Sequence, residues 1–357
     1  MDISEKIRLV KEVGEEILEE KELFGLFSEK KNPVAYDGFE PSGNIHLAQG
    51  LLRAINVNKL TSTGIVFKFW VADWFALMNN KMDGDLEKIR DVGEYFIEVW
   101  KASGMKMGNV KFLWASEHMD REYWLRTIKI ARINSVQRIT RCSQIMGRKE
   151  TDTLSAAQIF YPCMQASDIF QINADICQLG MDQRKVNVLA REVAEKLGYK
   201  KPIAVHHHML MGLQPSLNVE GDAIERAIEM KMSKSHPDSA VFMTDNKEEV
   251  HRKIKKAYCP EGQIENNPML EYCKYIIFEL NKEVKIERAN NFGGDVVFEN
   301  YSELEKSFSR KEIHPVDLKE AAARYIDKSL EPVRNHFKKT KKAAELQKKV
   351  LSYQVTR

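Results

Sequence analysis

Hydrophobic residues near the N-terminus recur at the spacing of an amphipathic helix. Between residues 4 and 31, Ile7, Val10 and Ile17 fall on one face, and acidic and basic residues occupy the other faces. This pattern predicts one helix over 4–31. The helix is expected to end before Pro33, because the residue that precedes a proline avoids the helical conformation.

After this helix, short apolar runs alternate with amphipathic stretches. The runs predict a strand at 34–43 that enters a turn, and further strands at 65–73, 109–116, 174–180 and 202–210. The intervening stretches predict helices at 45–60, 85–103 and 181–197, with a mainly helical region at 121–172. Strands that alternate with helices in this way favour a parallel sheet. We therefore predict an open, Rossmann-like α/β sheet over 33–215, with a helical insert at about 117–160.

The pattern changes near residue 244, where Lys/Glu-rich segments replace the apolar runs and only a weak strand remains, at 296–298. We predict two domains, an α/β domain at 1–244 and an α-helical domain at 245–357. Within the second domain, the segment 334–349 carries seven basic residues and one acidic residue. Such a segment is either a solvated helix face or a surface that contacts an RNA backbone.

Composition and charge narrow the class of protein only modestly. The chain has 357 residues, of which 43% are hydrophobic and 30% charged, so it is long enough for two globular domains and is not a disordered or disulfide-stabilised chain. Its 55 Lys and Arg residues against 52 Asp and Glu residues give a net charge of +3. A nearly neutral total does not exclude a nucleic-acid partner, because the distribution of charge matters more than its sum.

Cysteine usage and the apolar runs indicate a cytosolic protein without a membrane partner. The five cysteines form no CxxC pair, which argues against a zinc ribbon or a disulfide framework and fits a reducing compartment. The N-terminus has no apolar signal core. The most apolar run, at 65–78, is too short to cross a bilayer and is interrupted by Lys68 and Asp73.

Two segments have the chemistry of a phosphate site. In EPSGNIHLAQG (40–50) a turn opens a helix, whose free N–H groups and dipole suit phosphate, and His46 and Gln49 lie on one face of its first turns. In KMSKS (231–235) two lysines and two hydroxyls stand in a loop that could close over a polyphosphate. Taken alone, each segment could equally be a surface histidine near a helix cap or an ordinary basic loop.

A further set of polar residues could line one pocket at the same edge of the sheet. Tyr36 ends the first predicted strand, and Tyr161, Gln165 and Asp168 follow one stripe of a predicted helix. A buried carboxyl and a phenol can both bond a substrate hydroxyl, and they would be left unpaired by an analogue that lacks it. Gln183 follows a later strand, at the sheet edge where ligands bind. The alternative for the helical residues is a half-buried polar face.

These motifs resemble those of a known enzyme family. A tetrad after the first strand, HLAQ at 46–49, with KMSKS downstream resembles the class I aminoacyl-tRNA synthetases. Five segments together resemble the tyrosyl-tRNA synthetases of the archaeal and eukaryotic type, over about residues 5–340: AYDGFEPSG, IFYPCMQASDIF, GMDQRK, KIKKAYCP and IHPVDLK. Ala48 and Gln49 depart from the family's HIGH tetrad, so Gln49 can donate a hydrogen bond but carries no positive charge.

The resemblance implies that the protein ligates L-tyrosine to tRNA(Tyr) through a tyrosyl-adenylate, using ATP and Mg²⁺. It also implies a homodimer with the insert at 117–160 as interface. Catalysis would fall to His46, Gln49, Lys231 and Lys234. ATP would be bound by Gly38, Ser42, His46, Gln49, Met232, Ser233 and Lys234. Tyrosine would be bound at its hydroxyl by Tyr36 and Asp168, and at its α-ammonium group by Tyr161, Gln165 and Gln183. No metal-binding side chains are expected, because three consecutive histidines at 206–208 alternate in direction along a strand.

For the second domain the resemblance implies a helical anticodon-binding module. His314 and Asp317 match the motif that contacts the first anticodon base, and Phe278 is a candidate for stacking on that base. The alternative for Asp317 is a helix cap.

Three other functions remain open at this point. A tryptophanyl-tRNA synthetase would share the fold and the ATP motifs, but the pair Tyr36 and Asp168 argues against it. A synthetase-like RNA-binding protein without catalysis is disfavoured by the intact KMSKS segment. A different α/β nucleotidyltransferase is disfavoured by the anticodon-like motif of the second domain.

Overall fold

A computed structural model of the protein describes residues 1–146, 153–215, 226, 229–232 and 237–353. The strands are β1 (Glu16–Leu18), β2 (Val34–Phe39), β3 (Val66–Val71), β4 (Val110–Trp114), β5 (Ile176–Gly180), β6 (Ile203–His207), β7 (Val284–Ile286) and β8 (Val296–Phe298). The α-helices up to the end of the sheet are α1 (Ile3–Val13), α2 (Glu22–Glu29), α3 (Arg53–Ser62), α4 (Asp73–Met78), α5 (Leu86–Ala102), α6 (Ala115–His118), α7 (Arg121–Arg132), α8 (Val136–Thr140), α9 (Ala156–Gln171) and α10 (Arg184–Ala194). The later ones are α11 (Lys247–Lys255), α12 (Pro268–Tyr272), α13 (Phe278–Leu280), α14 (Tyr301–Ser309), α15 (Pro315–Lys339) and α16 (Lys341–Leu351).

The predicted Rossmann-like sheet is confirmed. Its six strands run in the order β1-β6-β5-β2-β3-β4, and every neighbouring pair except β1 and β6 is parallel. The central strands are apolar because helices cover both faces, and Phe67, Phe69 and Trp70 of β3 are fully buried. The chain passes from β2 to β3 and β4 on one side, and β5 and β6 lie on the other side. A crevice that suits a ligand therefore opens at the carboxyl ends of β2 and β5.

The prediction of a single N-terminal helix over 4–31 is wrong, because the structure has two helices separated by a strand. Helix α1 ends at Val13, β1 pairs antiparallel with β6, and α2 begins only at Glu22. Gly14 marks the break, since it is extended and an added Cβ would lie 2.7 Å from Ile17 Cγ1. Backbone bonds to the edge of the sheet replace those of a continuing helix, beginning with Glu15 N, which donates to His206 O at 2.8 Å. A helical spacing of apolar residues cannot reveal this competition.

The C-terminal region is largely helical, as predicted, and it also contains a small antiparallel pair formed by β7 and β8. The strand at 296–298 was predicted, whereas β7 was missed because it offers only three residues with a lysine in the middle. The long helix α15 packs on α5, where the rings of Tyr95 and Phe337 lie 5.5 Å apart and His336 Nε2 lies 2.8 Å from Glu98 Oε2. None of the helices described is long and apolar enough to span a membrane.

Candidate active site

One cavity of about 400 Å³ opens at the carboxyl ends of β2, β5 and β6. The structure brings to it most of the residues that the sequence singled out. They are Tyr36, Gly38, Ser42, His46, Gln49, Tyr161, Gln165, Asp168, Gln183, Lys231 and Met232. Two other predicted residues, Ser233 and Lys234, lie outside the described residues. The remaining three, Phe278, His314 and Asp317, belong to the C-terminal region.

A buried carboxyl group in the cavity wall accepts hydrogen bonds from two phenols, one in the wall and one behind it. Tyr36 Oη donates to Asp168 Oδ2 at 3.3 Å, and Tyr123 Oη donates to Asp168 Oδ1 at 2.8 Å. Burial raises the pKa of Asp168 well above its ordinary value, although the two phenols act in the opposite direction. A hydroxyl group on a ligand could join this cluster as donor and acceptor.

Tyr123 was not predicted, although it is fully buried and shares the Asp168 carboxyl with Tyr36. It lies on α7, where the sequence REYWLR has the pattern of an ordinary amphipathic helix. Its partner lies 45 residues further along the chain, on α9. Only the packing of α7 against α9 brings the two side chains together, so nothing local could have identified Tyr123.

Gly38 leaves room for the hydroxyl of Tyr36. The two residues are two apart on β2, so their side chains fall on the same face of the strand. A Cβ added at Gly38 would lie 2.8 Å from Tyr36 Oη, which is too close for an unbonded carbon. Any larger residue at position 38 therefore displaces the phenol from Asp168.

Polar oxygens and amides line another part of the cavity. Tyr161 Oη donates to Glu40 Oε1, and Gln165 Nε2 donates to Gln183 Oε1 at 3.0 Å. Burial and the neighbouring Glu40 raise the pKa of Tyr161 well above its ordinary value, so its phenol stays protonated. A carboxylate and several amide and phenol oxygens can together accept the hydrogen bonds of an ammonium group. Glu40 had no predicted role, although it begins the segment 40–50.

The predicted phosphate helix begins with a π-helical turn at Ala48–Leu52, which continues into α3. Gln49 N donates to His46 Nδ1 at 3.4 Å, so the proton of the imidazole is assigned to Nε2, which is then a donor. The side-chain oxygen Oε1 of Gln49 is buried and has no hydrogen-bond partner within the described part of the chain. A buried acceptor without a partner is costly, so this atom is suited to a donor group on a ligand.

The first lysine of the KMSKS segment reaches across the cavity to the loop after β5. Lys231 Nζ lies 2.8 Å from Asp182 Oδ2, and Lys231 is paired through its backbone with Met211. A phosphate that enters the cavity would compete with Asp182 for this ammonium group.

A second charged cluster in the cavity was largely missed. Arg53 Nη2 lies 2.9 Å from Asp37 Oδ2 and 3.2 Å from His207 Nε2, and Gln178 Nε2 lies 2.9 Å from His207 Nδ1. Burial raises the pKa of Asp37 to about 6 against the opposing effect of Arg53. Burial and the same arginine lower the pKa of His207 well below its ordinary value. Asp37 lies near the end of β2, where a polar residue can be expected from the sequence, but its partner Arg53 on α3 carries no local signal.

The three consecutive histidines at 206–208 face different partners, as the alternation of a strand requires. His206 Nδ1 lies 2.8 Å from Glu16 Oε2, and His208 Nδ1 lies 3.1 Å from Glu15 Oε2. Among the residues that the structure describes, no group of three or more histidine, cysteine or acidic side chains is arranged to hold a metal ion.

The anticodon-like motif lies at the start of α15. His314 is exposed and caps the helix, since its Nδ1 accepts a hydrogen bond from Val316 N at 3.2 Å. Asp317 is half-buried in the first turn. His314 therefore caps this helix. The alternative prediction, that Asp317 is the cap, is wrong.

Two phenylalanines of the C-terminal region differ in exposure. Phe278 is half-buried, and its ring lies edge-on to Tyr301 with the centroids 6.3 Å apart. Phe292 is 68% exposed, on the turn after Arg288. Arg288 Nη1 donates to Glu312 O at 2.8 Å, which holds that turn next to the start of α15. Phe292 is therefore the more accessible of the two rings, and no pattern in the sequence marked it.

The sheet order, the crevice at its carboxyl edge and the two phosphate-suited segments define the nucleotide-binding fold of a class I aminoacyl-tRNA synthetase. Comparison with known proteins supports this class. The family described as "tRNA synthetases class I (W and Y)" matches residues 28–331.

Individual relatives narrow the class further. "Tyrosine--tRNA ligase 1, cytoplasmic" of Arabidopsis thaliana is 51% identical, over 100% of this chain and 90% of the relative. Tyrosyl-tRNA synthetase of Pyrococcus horikoshii, solved with L-tyrosine, superposes with a TM-score of 0.90 at 38% identity, over 98% of this chain and 100% of that one. The Leishmania major enzyme, solved with tyrosinol, gives 0.91 at 44% identity. The match covers 100% of this chain but 61% of the Leishmania chain.

The chain therefore belongs to the tyrosyl-tRNA synthetases of the archaeal and eukaryotic type. This membership confirms the resemblance and the fold class that the sequence predicted. It leaves the role of each individual residue as a prediction.

Proposed function

We propose that the protein ligates L-tyrosine to tRNA(Tyr), using ATP, through a tyrosyl-adenylate intermediate. The observation that carries this proposal is the composition of one cavity. It holds a buried carboxyl bonded to two phenols together with His46, Gln49 and Lys231, whose chemistry suits phosphate. The relatives named as tyrosine–tRNA ligases, and the neighbour solved with L-tyrosine, support the same substrate.

In this proposal the tyrosine hydroxyl bonds Tyr36 and Asp168, while Tyr161, Gln165 and Gln183 accept its α-ammonium group. The carboxylate of tyrosine attacks the α-phosphorus of ATP, and pyrophosphate leaves. The terminal adenosine of the tRNA then attacks the activated carboxyl group and releases AMP. No side chain becomes a nucleophile, so catalysis consists of positioning and stabilisation of charge.

ATP contacts are proposed for Gly38, Ser42, Met232 and Ser233. His46 and Gln49 would donate hydrogen bonds to the phosphates, and Lys231 and Lys234 would neutralise their charge. Mg²⁺ would accompany the phosphates. Because the described residues offer no cluster of three acidic or histidine ligands, phosphate oxygens would supply most of its coordination, as is usual for this ion.

Charging of tRNA tests the complete function. Purified protein should attach radiolabelled tyrosine to a tRNA(Tyr) transcript in the presence of ATP and Mg²⁺, and should leave a tRNA(Phe) transcript uncharged. Normal activation of tyrosine without transfer to tRNA(Tyr) would contradict the second step.

Gly38→Ala is expected to weaken tyrosine binding by about 10-fold or more, because an added methyl group displaces the Tyr36 hydroxyl, and overpacking costs about 1–3 kcal/mol. Titration calorimetry with tyrosine measures the effect. Gly25→Ala is the matched control, since no described atom lies within 4 Å of its added Cβ, and it should bind normally. Wild-type affinity in Gly38→Ala would contradict the role of the close contact.

We also propose a homodimer whose interface is the insert at 117–160. Support comes from large apolar side chains that stand exposed on α7 and α8: Trp124, Leu125, Ile128 and Val136. Exposed apolar side chains that form a contiguous patch mark an interaction site, and four such side chains on two consecutive helices support an interface here.

Ile128→Glu is expected to shift the protein from dimer to monomer, because a carboxylate would be buried unpaired at the interface. Sedimentation velocity at micromolar concentration measures the change. Phe24→Glu is the control, since Phe24 is 61% exposed but lies on α2. The mass of this variant in solution should equal that of the wild type. A wild-type monomer, or a dimeric Ile128→Glu variant, would contradict this interface.

The C-terminal region is proposed as the anticodon-binding domain, with the domain boundary near residue 244. His314 and Asp317 would contact the first anticodon base. Phe278 is the aromatic that the sequence suggested for stacking, but its partial burial supports Phe292 instead.

Phe292→Ala is expected to raise KM for tRNA(Tyr) in the charging assay by about 5- to 150-fold, which corresponds to the loss of one stacked base, about 1–3 kcal/mol. Tyrosine activation without tRNA should not change. Phe278→Ala is the comparison, and it should leave KM for tRNA nearly unaltered. The reverse result would assign stacking to Phe278.

We propose a cytoplasmic location. The five cysteines are free and buried, which suits a reducing compartment, and the Arabidopsis relative is named as cytoplasmic.

A further inference from the structure

Lys253 is a buried cation that the proposed mechanism does not use. It lies on α11, in the KIKKAYCP motif, and is only 4% exposed. Its Nζ lies 2.6 Å from Asp245 Oδ2 and 3.0 Å from Ala240 O, and 4.7 Å from the ring centroid of Phe242. All three partners belong to residues 240–245, here called the hinge segment. One ammonium group therefore holds one short piece of backbone.

The hinge segment contains a tight turn that uses the same carboxylate. Phe242 N donates to Asp245 Oδ2 at 2.9 Å, and Asp245 N donates back to Phe242 O at 3.1 Å. The oxygen Oδ2 thus accepts from both the turn and Lys253. Loss of the ammonium group would leave this carboxylate without its charged partner and loosen the turn.

The hinge segment is bonded directly to the tetrad that contains His46. Leu47 N donates to Val241 O at 2.8 Å, and Met243 N donates to Ile45 O at 3.0 Å, so that His46 stands opposite Phe242. The position of the imidazole in the cavity thus depends on the hinge segment as well as on β2.

Packing between the two segments is close as well. A Cβ added at Gly50, in the π-helical turn, would lie 2.2 Å from Met243 Sδ. The π-helical turn at Ala48–Leu52 and the hinge segment can therefore move relative to each other only slightly without a clash.

The hinge segment also follows the KMSKS segment in the chain. Gly212 N donates to Met230 O at 2.8 Å, and Met232 N donates to Leu210 O at 3.2 Å, on the side that enters KMSKS. Leu213 N donates to Ser239 O at 2.8 Å, just before the hinge segment. The residues that enter KMSKS and the residue that precedes the hinge segment are therefore bonded to one stretch of backbone, residues 210–213.

We propose that Lys253 is a positioning residue that holds the hinge segment, and through it His46, in place in the cavity while pyrophosphate leaves. This inference rests on the proposed function. A buried ion pair is a poor device for stability alone, because well-packed apolar residues often serve equally well. An ammonium group with three partners in one segment instead fixes the position of that segment. Misplacement of a reacting group by about 1 Å can lower a rate by about 100-fold.

Lys253→Met keeps the length of the side chain and removes the charge. In tyrosine-dependent exchange of pyrophosphate into ATP, kcat should fall by about 10- to 100-fold. KM for tyrosine should stay within about twofold, since the proposed tyrosine contacts lie on β2, on α9 and at Gln183, outside the hinge segment. Lys253→Arg should recover part of kcat because it keeps the charge. Lys255→Met, on an exposed lysine of the same helix, is the control and should behave as the wild type.

Hydrogen–deuterium exchange followed by mass spectrometry provides a readout that does not depend on activity. Lys253→Met should exchange faster in peptides that cover 44–49 and 240–247, and normally in peptides that cover β3. A wild-type kcat, or unchanged exchange in those two peptides, would overturn the proposal. Equal losses of kcat and of tyrosine affinity would also overturn it, since they indicate a general structural defect. If the wild type shows no pyrophosphate exchange into ATP, the proposed function is refuted. The deuterium measurement would then still show whether Lys253 orders the hinge segment.

Discussion

Asp168→Ala is expected to lower kcat/KM for tyrosine in the ATP–pyrophosphate exchange reaction by about 1,000-fold and to abolish most of the preference for tyrosine over phenylalanine. The physical reason is that Asp168 bonds two buried phenols and is proposed to bond the substrate hydroxyl as well. A tyrosyl-tRNA synthetase is the established example of discrimination by about 10⁵ through buried groups that an analogue leaves unpaired, and we take the magnitude from that example. Without the carboxyl group, the Tyr36 phenol has lost its partner whichever amino acid is bound, so phenylalanine is no longer penalised by an unpaired buried carboxyl.

Asp168→Asn is the matched control for this prediction. It preserves the volume of the side chain and one acceptor oxygen, so it should lose less selectivity than the alanine variant. Thermal unfolding should be recorded for both, because a cavity next to Tyr36 and Tyr123 also destabilises the fold. A folded Asp168→Ala variant that still rejects phenylalanine would contradict the proposed binding of the hydroxyl.

Lys234→Ala is expected to slow formation of tyrosyl-adenylate by about 100- to 1,000-fold while the affinity for tyrosine stays within about twofold. This is the usual effect of removing one group that stabilises charge in a transition state. The lysine is proposed to neutralise negative charge that develops on pyrophosphate as it leaves, whereas tyrosine binds through other residues. Rapid quench of a single turnover, with tyrosine titrated separately, distinguishes the two steps.

Lys200→Ala serves as the control for that experiment. Lys200 is an exposed cation, 3.7 Å from Glu29, and its loss should change neither quantity. An unchanged single-turnover rate in Lys234→Ala would remove Lys234 from catalysis, and a parallel loss of tyrosine affinity would assign it to ground-state binding instead.

The parts of the structure that the sequence predicted well are those determined by local pattern. The strands β2, β3 and β5 are dense apolar runs, and polar residues at their carboxyl ends, such as Tyr36 and Gln183, converge at one edge because parallel strands end together. The helix predicted over 4–31 failed because a short edge strand competes with a helix through partners that lie 190 residues away.

The residues that were missed are those whose role depends on such long-range packing. Tyr123 meets Asp168 only where α7 crosses α9, and Arg53 meets Asp37 only where α3 packs under the sheet. In the sequence Lys253 is one of several basic residues of an amphipathic helix, and its burial against three partners could not be predicted. Phe292 and Phe278 cannot be ranked from sequence, because the difference between them is exposure.

The most direct test of the account is ATP–pyrophosphate exchange with tyrosine, phenylalanine and tryptophan supplied in turn. We predict rapid exchange with tyrosine and none above background with the other two amino acids. Exchange with tryptophan would indicate the related specificity of the same family, and no exchange with any of the three would contradict the proposed function.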